Sequence, residues 1–210
     1  MEETGSAIVL AGGLSTRMGF SKENLFINGE RLLYSLHAIL RTRFSQIIVV
    51  SKTLEDSEQR KLEVVGDELV GLGPLGGIHA GLKAAKSRYS YVLACDMPHL
   101  NMGYVSFLQS RLPPPDQEIS ALVTAFGRHM EPFNGFYNRS LIDPIRAFAA
   151  TGAKSLTEFL RSQNAVLVDE ETARRFSPDW SMFANINTPA DMLALTSSQT
   201  TKGCRKFDTY

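Results

Sequence analysis

The sequence has few cysteines and no excess of charge of either sign. Only two cysteines, Cys95 and Cys204, occur among its 210 residues, and they lie far apart without the spacing of metal ligands. We therefore expect neither a disulfide framework nor a zinc site, which favours a reducing compartment. Basic and acidic residues number 22 each. This balance argues against a nucleic-acid partner or a membrane surface, since proteins that bind either usually carry a basic excess.

Long apolar runs are also missing. No stretch approaches the roughly 20 apolar residues of a membrane span. The first residues, MEETGS, are acidic and contain no signal-peptide core. The sequence therefore predicts a soluble, cytoplasmic protein that does not bind a membrane.

The usual signatures of nucleophilic and metal catalysis are absent. No Walker A sequence occurs, and neither Cys95 nor any serine has a recognisable base partner. The histidines lack metal-ligand spacing, which favours core or surface roles for all four of them: His37, His79, His99 and His129. Such a chain suits a reaction whose nucleophile is already an anion, because positioning and charge neutralisation then replace a general base.

Short apolar runs alternate with segments of helical period. The runs at 7–10, 47–50 and 91–95 are continuous, as in strands that are buried on both faces of a parallel sheet. Three apolar triplets at helical spacing mark the helices between and after them: Leu33, Leu36 and Leu40; Ile78, Leu82 and Ala85; Val105, Leu108 and Leu112. This order predicts βαβ units and a mostly parallel, doubly wound α/β sheet.

The second half of the chain continues this architecture with one irregularity. Residues 122–126 and 133–137 lie close together and predict an antiparallel addition, while 165–168 predict a further strand. The segment 188–195 predicts a helix with Pro189 in its first turn.

Strand signals resume directly after the prolines 113–115, so we expect a surface loop there and one domain over 1–195. The polar, unpatterned tail at 196–210 is expected to be frayed.

The loop after the first strand, at 11–22, has the composition of a phosphate cradle. Gly12 and Gly13 allow close backbone approach and are expected to turn their amides towards an anion. Arg17 offers two parallel hydrogen bonds to phosphate oxygens, and Lys22 supplies a mobile positive charge. The alternative is a solvated turn. In an open α/β sheet, however, ligands bind outside the carboxyl ends of the strands, where this loop lies.

Asp96 follows the third apolar run directly and is expected at the same edge of the sheet. An aspartate in this position often caps the next helix, but Pro98 and Asn101 give that helix a start of its own. A carboxylate beside a phosphate loop suits Mg²⁺, which binds to one or two carboxylates together with substrate phosphates.

A second glycine-dense segment, 66–77, allows an alternative function. Gly71, Gly73 and Gly76 spell GxGxxG, with Asp96 about twenty residues further on, as in dinucleotide-binding oxidoreductases. That motif should open directly from a strand, whereas DELV intervenes here after the valines 64–65. The oxidoreductase interpretation also leaves the charged loop at 11–22 without a role.

Four segments, LAGGLSTRMGFSKENL, GLGPLGGI, LACDMP and NINTPADM, occur in the order and spacing of one family. The chain resembles the molybdenum cofactor guanylyltransferases from about Ala7 to Leu195. The resemblance implies a Rossmann-like fold of the nucleotide-diphospho-sugar transferase type. It further implies Mg²⁺-dependent transfer of GMP from GTP to molybdopterin, which gives molybdopterin guanine dinucleotide and pyrophosphate. Molybdoenzyme apoproteins or their chaperones are the further partners that it suggests.

The resemblance also assigns roles to residues. Asp96 corresponds to the metal ligand, and Asn185 and Asn187 correspond to the family's molybdopterin-side asparagines. Arg17, Lys22 and Asp96 are the expected catalytic residues. The expected GTP-binding residues are Leu10, Ala11, Gly12, Gly13, Lys22, Ser51, Asp67, Gly73 and Asp96.

Two positions depart from the family's pattern. Ser21 stands where many members have aspartate, which puts the ordering of the first loop in doubt. Ser51 stands where they often have asparagine, which puts a nucleotide contact in doubt.

Three alternatives to guanylyl transfer remain at the level of sequence. The first is cytidylyl transfer to the same acceptor, since a few pocket contacts decide between cytosine and guanine. A sugar-phosphate nucleotidyltransferase is disfavoured by the short chain and by NINTP. A non-catalytic module that carries cofactor to an apoenzyme is disfavoured because Arg17, Lys22 and Asp96 are all present.

Overall fold

A central sheet of seven strands organises the molecule. The computed structural model describes residues 3–12, 14–15, 20–21, 24–27, 29–54, 62–188 and 190–192. The strands of the sheet are β1 (Ser6–Leu10), β6 (Gln46–Val50), β7 (Glu63–Val65), β8 (Tyr89–Ala94), β9 (Ala121–Phe126), β10 (His129–Asn138) and β11 (Ala165–Val168). Their spatial order is β11-β9-β10-β8-β1-β6-β7.

The strands are parallel except for one. β1 pairs in parallel with β6 and β8, β6 pairs in parallel with β7, and β11 pairs in parallel with β9. β10 runs antiparallel to both of its neighbours, β8 and β9. The predicted, mostly parallel sheet with an antiparallel addition is confirmed, as is the strand at 165–168.

Alternate residues of each buried strand face two separate apolar clusters. On β1, Ala7 and Val9 belong to the cluster on one face, and Ile8 and Leu10 belong to the cluster on the other. Successive side chains of a strand point to opposite faces, so a continuous apolar run satisfies both clusters at once. This explains why the central strands carry no polar alternation.

Helices cover both faces, as a doubly wound sheet requires. The apolar stripes of α1 (Leu32–Leu40), α3 (Met102–Ser110) and α6 (Glu170–Arg174) pack in the first cluster. Those of α2 (Pro74–Ala84), α4 (Ile142–Ala150) and α5 (Leu156–Ser162) pack in the second. Residues 190–192 are helical, within the segment predicted as the last helix. Pro189 and the tail at 196–210 lie outside the described residues.

Two helices end before the sequence predicts. Leu112 is expected on the α3 stripe, but α3 ends at Ser110 and Leu112 packs beside the core from the following turn. The residue before a proline is driven out of the helical region, and Leu112 precedes Pro113. Ala85 is likewise buried but extended, one residue beyond the end of α2.

The remaining described elements are short. Strands β2 (Leu14–Ser15) and β3 (Phe20–Ser21) pair with each other, as do β4 (Phe26–Ile27) and β5 (Glu30–Arg31). Single 3₁₀ turns occur at Arg139–Leu141 and Ser181–Phe183. Within the described residues, no helix combines the length and apolar character that a bilayer crossing requires.

Candidate active site

Three neighbouring strands of the sheet end at the same level. Leu10, the last residue of β1, pairs with Val50 of β6 on one side and with Ala94 of β8 on the other. The loops that follow these strands therefore leave the sheet at one edge. Ser51 and Asp96 lie in two of these loops, as the sequence predicts.

A cavity of about 470 Å³ opens at this edge, between β1, β6, the glycine-dense segment and the start of α2. Its volume lies in the usual range of small-molecule sites. Five of the predicted nucleotide-binding residues line it, namely Leu10, Gly12, Ser51, Asp67 and Gly73. The other lining residues are Val50, Lys52, Thr53, Gly71, Pro74 and Gly77.

Asp67 is held tightly against the first turn of α2. Its Oδ1 accepts a hydrogen bond of 2.9 Å from the amide of Leu69. A Cβ at Gly76 would lie only 2.5 Å from Oδ1 and 2.7 Å from Oδ2. The absence of a side chain at position 76 therefore lets the carboxylate of Asp67 sit beside the cavity.

The glycines of the GxGxxG pattern have structural reasons of their own. Gly71 and Gly73 adopt φ angles of 88° and 59°, which L-residues with a side chain rarely adopt. Gly73 precedes α2, whose first residue is Pro74, and β7 has already ended at Val65. The pattern does not open from a strand, so the dinucleotide-binding geometry is not present.

The structure contradicts one predicted contact of the first loop and leaves other residues of that loop outside the described ranges. The amides of Ala11 and Gly12 both donate to the carbonyl of Val50, at 2.9 and 3.0 Å. The prediction that the Gly12 amide faces an anion is therefore wrong, because the edge of the neighbouring strand takes that hydrogen. Gly13, Arg17 and Lys22 lie outside the described residues, and their roles stay predictions.

Asp96 stands directly beyond β8 with a fully buried side chain. It does not cap α3, because the side chain of Asn101 accepts the hydrogen bond from the amide of Tyr104, at 3.0 Å. The carbonyl of Asp96 instead accepts a 2.8 Å hydrogen bond from the amide of Ile186. Among the described residues no group of three or more acidic, histidine or cysteine side chains is arranged to hold a metal. A single carboxylate is nevertheless what Mg²⁺ uses when substrate phosphates supply its other ligands.

Asn185 and Asn187, the expected molybdopterin-side residues, flank a buried residue. Both are exposed, and Ile186 between them is buried. The following turn is capped by other residues: Asp191 accepts hydrogen bonds from the amides of Asn187 and Thr188, and Thr188 Oγ1 accepts one from the amide of Asp191. Neither asparagine side chain is needed for the cap, and both are open to solvent.

Asn134 is not among the residues that the sequence predicts for the site. This residue is fully buried with a φ of 60°, in a strand whose pairing shifts between Glu131 and Phe136. Its side chain accepts a hydrogen bond from the hydroxyl of Tyr91 and donates one of 3.1 Å to the carbonyl of Met182. Burial raises the pKa of Tyr91 well above its ordinary value, which keeps the hydroxyl protonated as a donor. The Asn-Gly pair at 134–135 is the one sequence signal that favours a left-handed residue here.

Solved structures share this fold. The molybdopterin-guanine dinucleotide biosynthesis protein A of Archaeoglobus fulgidus superposes with a TM-score of 0.73, covering 93% of this chain and 99% of its own, at 24% identity. The fold is that of nucleotidyltransferases of the nucleotide-diphospho-sugar transferase type. Residues 7–166 match the model of the MobA-like NTP transferase domain, and the chain belongs to that family.

Two relatives are similar over most of their length. The molybdenum cofactor guanylyltransferase of Syntrophotalea carbinolica is 46% identical over 187 residues, which cover 89% of this chain and 88% of the relative. A probable molybdenum cofactor guanylyltransferase of Peptoclostridium acidaminophilum is 40% identical over 191 residues, which cover 90% of this chain and 86% of the relative.

Proposed function

We propose that this protein transfers GMP from GTP to molybdopterin, which forms molybdopterin guanine dinucleotide and releases pyrophosphate. The observation that carries the proposal is the cavity at the ends of β1 and β6, where Leu10, Gly12, Ser51, Asp67 and Gly73 come together. These residues are distant in sequence and all five are expected to bind GTP; the resemblance to guanylyltransferases carries Leu10, Gly12 and Asp67 among them. The similarity to the relative from Syntrophotalea carbinolica, over 89% of this chain, supports the same reaction.

The chemistry requires little from the protein beyond positioning and charge. An oxygen of the molybdopterin phosphate attacks the α-phosphorus of GTP, and the bond from that phosphorus to the bridging oxygen of the β-phosphate breaks. The nucleophile is already an anion, so no general base is needed. Arg17 and Lys22 are proposed to neutralise the phosphates. Two close charge pairs of this kind are worth roughly 4 kcal/mol each at an intermediate dielectric.

Asp96 is the proposed ligand of Mg²⁺, which when bound withdraws charge from the phosphates. Its position directly after β8, next to the end of β1, supports this role. Asn185 and Asn187, which flank the Ile186 that is hydrogen-bonded to Asp96, are the proposed contacts for molybdopterin, and both are exposed. We place the reaction in the cytoplasm, with molybdoenzyme apoproteins or their chaperones as the recipients of the product.

Titration of the purified protein with GTP, CTP and ATP, each with Mg²⁺, tests the proposal. We expect GTP to bind at least tenfold more tightly than CTP, a difference of about 1.4 kcal/mol. Equal affinities would remove the guanylyl assignment, and a preference for CTP would indicate cytidylyl transfer to the same acceptor.

Turnover of Asp96→Asn and Lys22→Ala tests the proposed catalytic roles. Asp96→Asn should nearly abolish turnover, with partial recovery at raised Mg²⁺, because it keeps the size but loses the charge that the metal needs. Lys22→Ala should show no such recovery, because added metal does not replace a positioned ammonium group. Normal turnover of Asp96→Asn at sub-millimolar Mg²⁺ would exclude Asp96 as the ligand.

A further inference from the structure

The ammonium group of Lys52 lies close to the carboxylate of Asp67 at the cavity. Both residues line it, and Lys52 Nζ lies 4.0 Å from Asp67 Oδ2. This distance permits Coulomb attraction but is too long for a hydrogen bond. Among the described residues, no hydrogen bond of the Lys52 ammonium group accompanies this ion pair, so its donor hydrogens can serve an acceptor in the cavity while Asp67 attracts it there.

The two side chains differ in exposure. Asp67 is 11% exposed and is fixed by the amide of Leu69 and by its packing against Gly76. Lys52 is 51% exposed. The pair thus consists of a fixed carboxylate and an adjustable ammonium group, and a ligand in the cavity meets both.

Ser51 explains why Lys52 occupies this place. The Ser51 hydroxyl oxygen accepts hydrogen bonds from the amides of Thr53 and Leu54, at 3.2 and 3.0 Å, and the side chain is almost fully buried. Its oxygen therefore stabilises the turn that follows β6. That turn carries Lys52 to the rim. The family often has a longer, amide-bearing asparagine in place of Ser51.

We propose that Lys52 is a base-selecting residue that donates a hydrogen bond to the 6-oxo group of guanine; this inference rests on the proposed function. Guanine carries an acceptor oxygen at position 6, where adenine carries an amino group. An ammonium group can only donate hydrogen bonds. It therefore stabilises bound guanine through the 6-oxo group, whereas the 6-amino group of adenine is also a donor and offers it no acceptor. Lysine paired with the O6 and N7 acceptors is a common contact to guanine in nucleic-acid recognition.

Four purine nucleotides form a complete test because they vary positions 2 and 6 of the base independently. GTP and ITP carry oxygen at position 6, while 2-amino-ATP and ATP carry an amino group there. In each pair the first member has a 2-amino group and the second lacks it. Dissociation constants with Mg²⁺ are measured for wild type, Lys52→Met and Lys52→Arg.

For Lys52→Met, we expect GTP and ITP to bind about tenfold more weakly or worse, and both 6-amino purines to bind as before or slightly better. Lys52→Arg should retain much of the preference for 6-oxo purines, because it retains the donor. Lys83→Met is the matched control: Lys83 lies on the outer face of α2, paired with Glu68 at 2.6 Å, and does not line the cavity. We expect this control to leave all four constants unchanged.

Two outcomes would overturn the proposal. An equal loss for all four nucleotides in Lys52→Met would mean that Lys52 acts on the phosphates or on loop structure, and no loss at all would mean that it does not contact the ligand. Failure of the proposed function looks different. In that case wild type itself would show no preference for GTP over the 6-amino purines or CTP, and the role of Lys52 would be lost together with it.

Discussion

The backbone amide of Ile186 is hydrogen-bonded to the carbonyl oxygen of Asp96 across 2.8 Å. Because Ile186 is buried between the exposed Asn185 and Asn187, this hydrogen bond fixes the segment that carries both asparagines. Its acceptor, Asp96, also carries the carboxylate proposed for Mg²⁺. The residues proposed for GTP and for molybdopterin are therefore connected through one backbone contact.

Replacement of both Asn185 and Asn187 by alanine should weaken the binding of molybdopterin and leave the binding of GTP unchanged. Two lost amide hydrogen bonds of about 1 kcal/mol each correspond to roughly tenfold to thirtyfold in affinity. The KM for molybdopterin under anaerobic conditions and the dissociation constant for GTP measure the two effects.

Thr188→Ala provides the matched control. It removes the side-chain oxygen that accepts a hydrogen bond from the amide of Asp191, so the free energy of unfolding should fall by about 1 kcal/mol. The affinity for molybdopterin should not be selectively reduced. If the double asparagine variant loses both substrates equally, its effect is structural and the molybdopterin assignment is wrong.

Gly76→Ala should displace Asp67 from the cavity. The added methyl would lie 2.5 Å from Oδ1 of Asp67 and 2.8 Å from the carbonyl oxygen of Leu69, so the segment must shift. We expect a loss of stability of about 1–3 kcal/mol, as for other overpacked sites, together with weaker GTP binding. Gly66→Ala is the control, since a Cβ there meets nothing within 4 Å. Denaturant unfolding and GTP titration measure both effects, and equal behaviour of the two variants would refute the steric account.

Two substitutions of Asn134 test how much its hydrogen bonds and its left-handed backbone conformation matter for stability. Asn134→Ala removes the hydrogen bonds to Tyr91 and Met182 and puts alanine, which tolerates the left-handed region less well than asparagine, at this position, so we expect a loss of about 2–4 kcal/mol. Asn134→Gly loses the same bonds but tolerates the backbone, and should be more stable than the alanine variant by about 1 kcal/mol. Urea unfolding of the two variants gives the difference. Equal stability would mean that the φ of 60° stores no strain.

His79 makes stability depend on pH. The residue is fully buried in α2, and neither ring nitrogen has a hydrogen-bond partner among the described residues. Burial lowers the pKa of His79, and nearby Arg146 and Lys83 lower it further, against the opposing charges of Glu68 and Asp67. The unfolded chain therefore binds this proton more readily than the folded protein does. Protonation of His79 therefore favours the unfolded chain. Above the ordinary histidine pKa of about 6.5 this effect is absent, and as the pH falls below that value it lowers the free energy of unfolding.

His79→Leu should remove this part of the acid sensitivity. The free energy of unfolding measured at pH 8 and at pH 5.5 should differ less in the variant than in wild type. The variant should also be at least as stable at pH 8, because it no longer buries two unsatisfied ring nitrogens. An unchanged difference between the two pH values would mean that other groups cause the acid sensitivity.

The sequence identifies the elements that depend on apolar pattern and local caps. The runs at 7–10 and 47–50 are strands because both of their faces are buried, and the position of Asp96 follows from the end of such a run. Asn101 caps its helix because a short polar side chain before a helix reaches the free amides.

The choice of polar partners is not visible in the sequence. The partners of Ser51 and Gly12 are set by the turn after β6 and by the neighbouring strand, which bring the Leu54 amide and the Val50 carbonyl to them. Asn134 depends on Tyr91, which is 43 residues away, and on Met182, which is 48 residues away. Such contacts arise from tertiary packing, so no local pattern reports them.

The pairing of β8 with β10 is also a junction between two consecutive parts of the chain. Strands β1, β6, β7 and β8 precede the prolines at 113–115, strands β9, β10 and β11 follow them, and within the sheet only β8 and β10 connect the two groups. All residues that line the cavity lie in the first part, whereas Asn185 and Asn187 lie in the second. Cleavage of the backbone at the proline loop would thus yield one fragment that carries the proposed nucleotide side and another that carries the proposed pterin side. Transfer of GMP would then require the two fragments to reassemble along this antiparallel pair and to restore the contacts between them, such as the hydrogen bond from Ile186 to Asp96.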